Sequence, residues 1–216
     1  MFDYHMHSTV SFDGQAAPEE MARAAAQAGL KEICFTDHVD YDPLGQLGVM
    51  AFDTAVYNAA YDDLDVYFKE FWQGKTVFEA ERRYLEATLD CVQIHDDFDV
   101  LAHLTYIGKS RSHHAPRSVP YEEHRELLDE ILRVLARKGK GLEMNTSGMD
   151  RCGGFLPTAD YFRRFKELGG EIVTVGSDAH DSQRVGQYSF EACEILKDIF
   201  GYVCTFEGRK PIFHKL

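Results

Sequence analysis

Short apolar segments alternate with segments of helical periodicity along most of this chain, and that alternation restricts its fold more than any other feature. FDYHMH (2–7), EICFTDH (32–38), FDVLAHL (98–104), GLEMNTS (141–147) and EIVTVGSDAH (171–180) each read as a buried strand running into a loop. Between them, Pro18 and Gly29 bracket the Ala-rich helix PEEMARAAAQAG. Phe78, Leu85, Leu89 and Val92 mark one face of a helix over 78–92, and Leu128, Ile131, Leu132 and Leu135 mark another within 121–138. Tyr161, Phe162, Phe165 and Leu168, then Phe190, Cys193, Leu196 and Phe200, repeat the spacing. Strands alternating with helices imply a parallel sheet, open or closed into a barrel. No repeat or linker divides the chain, so residues 1–216 read as one domain.

Residues 39–78 break the rhythm: they are rich in Asp, Tyr and Phe, with a possible short helix near 53–64 and only LDVYF (64–68) as a weak strand. The net charge of -13 argues against broad attraction to nucleic acid or an anionic membrane, so an anionic substrate needs a local cationic site. There is no basic-then-apolar leader at the N-terminus and no run of roughly 18 apolar residues, which predicts a cytoplasmic protein. Five scattered cysteines without C-x-x-C spacing read as reduced thiols.

In parallel α/β folds functional groups gather where strands end. Here the strand ends carry His5-x-His7, Thr36-Asp37-His38, His103, and Asp178-x-His180, with the residues of each alternating pair on one side of the chain. Five histidines and a carboxylate on one rim exceed what packing requires, and the His/Asp set suits zinc, iron or manganese. Asp13 in SFDG is open between a turn residue and a ligand. His95 reads as exposed or as a helix cap. The loop GKSRSHHAPR brings Lys109, Arg111 and Arg117 beside His113 and His114, either as a solvated loop or as the missing cationic site. Glu143 and Asn145 end the fourth strand and could orient ligands.

Taken together, HMH, TDH, the strand-end AH, LEMNTSG and GSDAH resemble the PHP family, named for polymerase and histidinol phosphatase domains. The opening FDYHMHSTVSFDG and the run from VTVGSDAHDSQRVG to TFEGRKP are similar to its histidinol-phosphatase branch. The resemblance implies a distorted seven-stranded (β/α) barrel with up to three divalent metals, hydrolysing a phosphate monoester, here L-histidinol phosphate to L-histidinol in histidine biosynthesis. By that pattern His5, His7 and Asp178 hold one metal, Asp13, His38 and His180 another, and His103 belongs to the third. Asp178 and His180 then carry the chemistry with Arg184, which resembles a phosphate-binding arginine; Lys109 and Arg117 are the next phosphate candidates.

The chain also departs from that pattern. Thr105 replaces the usual Asp after His103, and two expected strands between the second strand and the His103 strand are not recognisable, with them a bridging glutamate in G-x-E and a ligand in S-V-H. Glu70, Glu79 or Glu81 could substitute, although each also reads as a solvated helix face. The expectation is an incomplete or re-closed barrel near residues 60–70, fewer than three fully ligated metals and weakened activity. A small phosphorylated molecule is the expected partner, without nucleic acid or membrane; the oligomeric state is open. The rival readings are a degenerate, non-catalytic metal-binding PHP domain and a PHP phosphoesterase acting on nucleotides.

Overall fold

The computed structural model describes residues 1–11, 13–37, 40–41, 49–50, 71–109 and 116–216. Strand β1 (Phe2–Met6) passes through helix α1 (Pro18–Gln27) into the parallel strand β2 (Glu32–Phe35). Pro18 begins α1, where its missing N–H costs nothing, and Met21 and Ala25 bury its inner face. A pair of two-residue strands, β3 (Asp40–Tyr41) and β4 (Val49–Met50), runs antiparallel. It falls in the stretch where the sequence shows no apolar strand pair, since backbone pairing of this length leaves no side-chain period to read. The helix expected near 53–64, the strand LDVYF and the barrel interruption near 60–70 lie outside the described residues.

Helix α2 (Val77–Ile94) opens with a capping box between Thr76 and Glu79. Strands β5 (Val100–Leu101), β6 (Gly141–Asn145) and β7 (Val173–Gly176) form a parallel sheet. Helix α3 (Arg125–Arg137), the short α4 (Met149–Cys152) and α5 (Ala159–Glu167) lie between these strands, and α6 (Ser189–Ile199) follows β7. Leu85, Leu128, Ile131, Leu132, Leu135, Leu142, Tyr161, Phe162 and Phe165 are fully buried in one core between helices and sheet. The two parallel groups meet beyond their ladders: Asp178 N–H donates to the His5 carbonyl and His7 N–H to the Ala179 carbonyl, both at 2.8 Å. The strands therefore lie in the order β2, β1, β7, β6, β5. Among the described residues no ladder joins β5 to β2.

Two expected core residues are exposed, Phe78 by 44% and Phe190 by 60%. Each is the second residue of its helix, α2 or α6. Helical side chains lean toward the N-terminus, so a ring at that position projects past the packing partner; Phe78 instead stacks on His124, centroids 4.7 Å apart. A C-terminal hairpin, β8 (Tyr202–Glu207) and β9 (Lys210–Lys215), has no counterpart among the strands expected from sequence. Its turn residues Gly208 and Arg209 have φ of 56° and 62°, as a primed hairpin turn demands. The hairpin lies across the amino-terminal ends of the strands: Arg209 pairs with Asp97 and Asp99 ahead of β5, and the Tyr202 hydroxyl donates to the Glu171 carbonyl ahead of β7. No helix of the described residues is long and apolar enough to cross a membrane.

Candidate metal centre and substrate cleft

The carboxyl ends of β1, β6 and β7 converge on one polar cluster. Alternation along β1 places Asp3, His5 and His7 on one face, and all three are buried. His5 Nδ1 meets Glu143 Oε1 at 2.7 Å, and a proton there turns the Nε2 lone pair toward His7 Nε2 at 3.1 Å and Asp178 Oδ1 at 3.6 Å. His7 Nε2 is itself 3.4 Å from Asp178 Oδ1. These three atoms are compatible when His7 Nε2 carries a proton and donates to the other two, or when a metal ion sits between them. Burial opposes protonation of His5, yet Glu143 and Asp178 pull it up to about 9. Burial likewise works against the Asp178 anion, but His7, His5 and Lys109 hold its carboxyl well below the usual range.

A second donor set adjoins the first. His180 Nδ1 meets the Asp178 carbonyl at 2.9 Å, directing Nε2 to Asp13 Oδ2, also at 2.9 Å. The donor atoms of His7, Asp13 and His180 lie within 4.8 Å of one another, as do those of His5, His7 and Asp178. His7 thus belongs to both groups, whereas the pattern inferred from sequence gave it to one; His38 lies outside the described residues. His103 is brought in by β5, its ring centroid 5.4 Å from that of His5. Burial pushes its pKa down, and its buried Nδ1 has no hydrogen-bond partner among the described residues. A neutral imidazole with a free nitrogen beside two His/Asp sets is a ligand set that fits divalent transition metals.

Glu143 anchors this arrangement, accepting from His103 N–H at 2.9 Å and Asn145 Nδ2 at 3.1 Å through Oε2 while Oε1 holds His5. Its approach depends on Gly176, where a Cβ would stand 2.2 Å from Glu143 Oε1 and 2.3 Å from His5 Cβ. His103 (φ 30°) and Asp178 (φ 55°) both occupy left-handed backbone, the kind of local strain that collects at functional positions.

A cleft of about 450 Å³ opens over the cluster, lined among others by Asp13, His103, Lys109, Asp178, His180 and Arg184. Lys109 Nζ donates to Asp178 Oδ2 at 3.2 Å and to Ser147 Oγ at 3.0 Å. Arg117, in contrast, is turned away: Glu81 takes it through two bonds of 3.0 and 2.7 Å, and Glu123 through another of 2.9 Å. Glu81 is not on a solvated face but fully buried, also within 3.1 Å of His124 Nε2. Glu81, Glu123 and His124 could themselves surround a cation, and the Arg117 guanidinium already supplies that charge. Glu79 is an exposed capping residue; Glu70, Arg111, His113 and His114 lie outside the described residues, and His95 is the exposed C-cap of α2.

Asp3 is a further functional residue, absent from the strand-end candidates; its two oxygens accept from Ser177 N–H and Gly186 N–H, each at 2.8 Å. Its signal was present, because the alternation that pairs His5 with His7 extends back to residue 3. Asp37 holds the first loop as well, accepting from Ser8 N–H at 2.7 Å and Ser11 Oγ at 2.9 Å.

A profile of the PHP domain matches residues 3–62. The histidinol-phosphatase of Lactococcus lactis is 30% identical over 256 residues, covering 96% of this chain and 95% of that protein. The chain belongs to the PHP family. A Thermotoga maritima relative, described as "Probable histidinol-phosphatase", is 29% identical over all of both chains. In structure, this PHP protein is similar to histidinol phosphate phosphatase from Lactococcus lactis complexed with zinc, L-histidinol and phosphate, with TM-score 0.76, 28% identity and 98% of each chain covered. A Listeria monocytogenes structure at 18% identity and TM-score 0.65 shares the fold. Alignment over 256 residues leaves at least 40 positions (256 less 216) without a counterpart in this PHP chain.

Proposed function

We propose that this chain is a metal-dependent phosphatase that hydrolyses L-histidinol phosphate to L-histidinol, acting as one domain over residues 1–216. The observation that carries the reading is the convergence of His5, His7, Asp13, Asp178 and His180 beneath a cleft whose rim presents Lys109 and Arg184. Zinc, iron or manganese held there would acidify a water nucleophile and offset charge on the phosphate. Arg184 can clamp phosphate oxygens through paired guanidinium bonds, and Lys109, also on the cleft lining, neutralises further charge. These local cations let an anion approach a molecule of net charge -13. Glu143 and Asp3 hold the ligand-bearing loops still, so their side chains meet substrate without rearrangement.

The frame we favour is a distorted seven-stranded PHP barrel, interrupted or re-closed where the chain is shorter than its relatives. Among the described residues His103 is the one recognised ligand of the third site, and on this reading the protein holds fewer than three fully ligated metals and turns over more slowly than a complete family member. Zinc, iron and manganese content together with release of phosphate from histidinol phosphate tests both halves. Protein that takes up no metal would overturn the reading, and metal-loaded protein without turnover would leave a degenerate binding domain. Faster turnover of nucleotides than of histidinol phosphate would move the substrate to that class.

A further inference from the structure

We propose that Asp150 is a positioning residue that holds Arg184 ready for the substrate phosphate; the inference rests on the phosphate role given to Arg184 above. Arg184 lies in the loop after β7, and Asp150 on the short helix α4 in the connection after β6. Arg184 donates through one terminal nitrogen to Asp150 Oδ2 at 2.9 Å. Two further side chains of the same loop converge on that carboxylate: Gln187 Nε2 donates to Oδ2 at 3.2 Å and the Tyr188 hydroxyl to Oδ1 at 2.8 Å. The Asp150 contact raises the Tyr188 phenol above its ordinary value, so the hydroxyl stays a donor. Next to this clasp, Thr146 Oγ donates to the Gln187 carbonyl at 2.6 Å, tying the same two connections at the backbone.

An anion at the edge of a phosphate site looks counterproductive, since it competes for the guanidinium. The geometry resolves this. Among the described residues only one nitrogen of Arg184 is engaged, and a guanidinium has five N–H donors, so an edge remains for phosphate. Arginine otherwise loses much rotamer freedom when it grips a ligand. Asp150 removes part of that loss beforehand and is itself held by Gln187 and Tyr188. Arg151, the next residue on α4, lines the cleft, so α4 presents one side chain to the clasp and the next to the substrate space.

The test uses the full chain loaded with zinc, reading kcat and KM for histidinol phosphate and inhibition by inorganic phosphate. Asp150→Ala should raise KM and weaken phosphate inhibition about three- to ten-fold, with metal content unchanged and kcat within about two-fold, the scale of a partly exposed ion pair reinforced by two hydrogen bonds. Asp150→Asn, which keeps an acceptor oxygen, should recover part of the loss. In an Arg184→Ala background the Asp150→Ala change should have no further effect. Unchanged or tighter phosphate binding in Asp150→Ala, or the same loss with and without Arg184, overturns the positioning role. If Arg184→Ala alone leaves KM and phosphate inhibition untouched, the phosphate assignment of Arg184 falls first, and this inference falls with it.

Discussion

Glu143 uses its two oxygens for different ends of the site, one on the His5 ring and one on the His103 backbone and Asn145 amide. Despite burial, which favours the neutral acid, His5 and His103 keep it ionised below the ordinary glutamate range. Removing the carboxylate proposed as a metal ligand on the other side of His5 should be decisive: Asp178→Asn is expected to cut metal uptake and to lower kcat/KM by roughly a hundred-fold or more, as loss of a ligand or its support does. Elemental analysis and phosphate release check this, and a variant with full metal content and normal turnover would contradict it. Gly176→Ala should cost about 1–3 kcal/mol in chemical denaturation, because an added methyl must push Glu143 or His5 aside. Most of these residues could be read from the chain, since His-x-His and Asp-x-His pairs keep one side of an extended backbone. Glu143 is legible as a strand-end residue able to orient ligands, but its dual contact depends on Gly176 in a strand far along the sequence. Arg117 and Glu81 differ from their sequence reading for the same reason, since nothing local announces that a guanidinium 36 residues on will make two bonds to a buried glutamate.

Helices α3 and α5 are fastened by Asp129, which accepts from Arg164 at 2.9 and 2.7 Å, from Arg133 at 2.9 Å and from the Tyr121 hydroxyl. Arg164 leads the causes that hold its carboxyl far below the usual aspartate range. A carboxyl depressed on folding adds stability that is complete above its unfolded pKa of about 3.9 and drains away as pH falls through the folded value. Asp129→Asn should therefore cost about 2 kcal/mol at pH 7, and the gap between variant and parent in urea denaturation should narrow on acidification below about pH 4. Phe190→Ser, by contrast, should move stability by no more than about 0.5 kcal/mol, because the ring already faces solvent. Helical spacing and the Pro and Gly stops disclosed every long helix in the described chain. The hairpin β8–β9 escaped because Gly208-Arg209 is not a usual turn pair, and because Pro211 weakens β9 as a strand pattern.

The whole molecule divides its tasks between two ends, ligands and cleft at the carboxyl ends of the strands and the hairpin at the other. Zinc bound only by the folded state should raise the melting temperature, by about 2.7 kcal/mol of stabilisation at a hundred times its dissociation constant, and a chelator should reverse it. A thermal scan with and without zinc is the check, and a melting temperature indifferent to zinc would argue against a preformed site. At the far end, Phe2 packs against His214 with centroids 4.5 Å apart, and Arg209 grips the approach to β5 through Asp97 and Asp99. Selection can then act on the two ends separately. Exchanges in the hairpin can tune heat tolerance while the reacting groups stay as they are, and new substrates can be tried at the cleft rim without loosening the base. A lineage carrying such an enzyme into a hotter or colder habitat has a place to adapt that does not tax its catalysis.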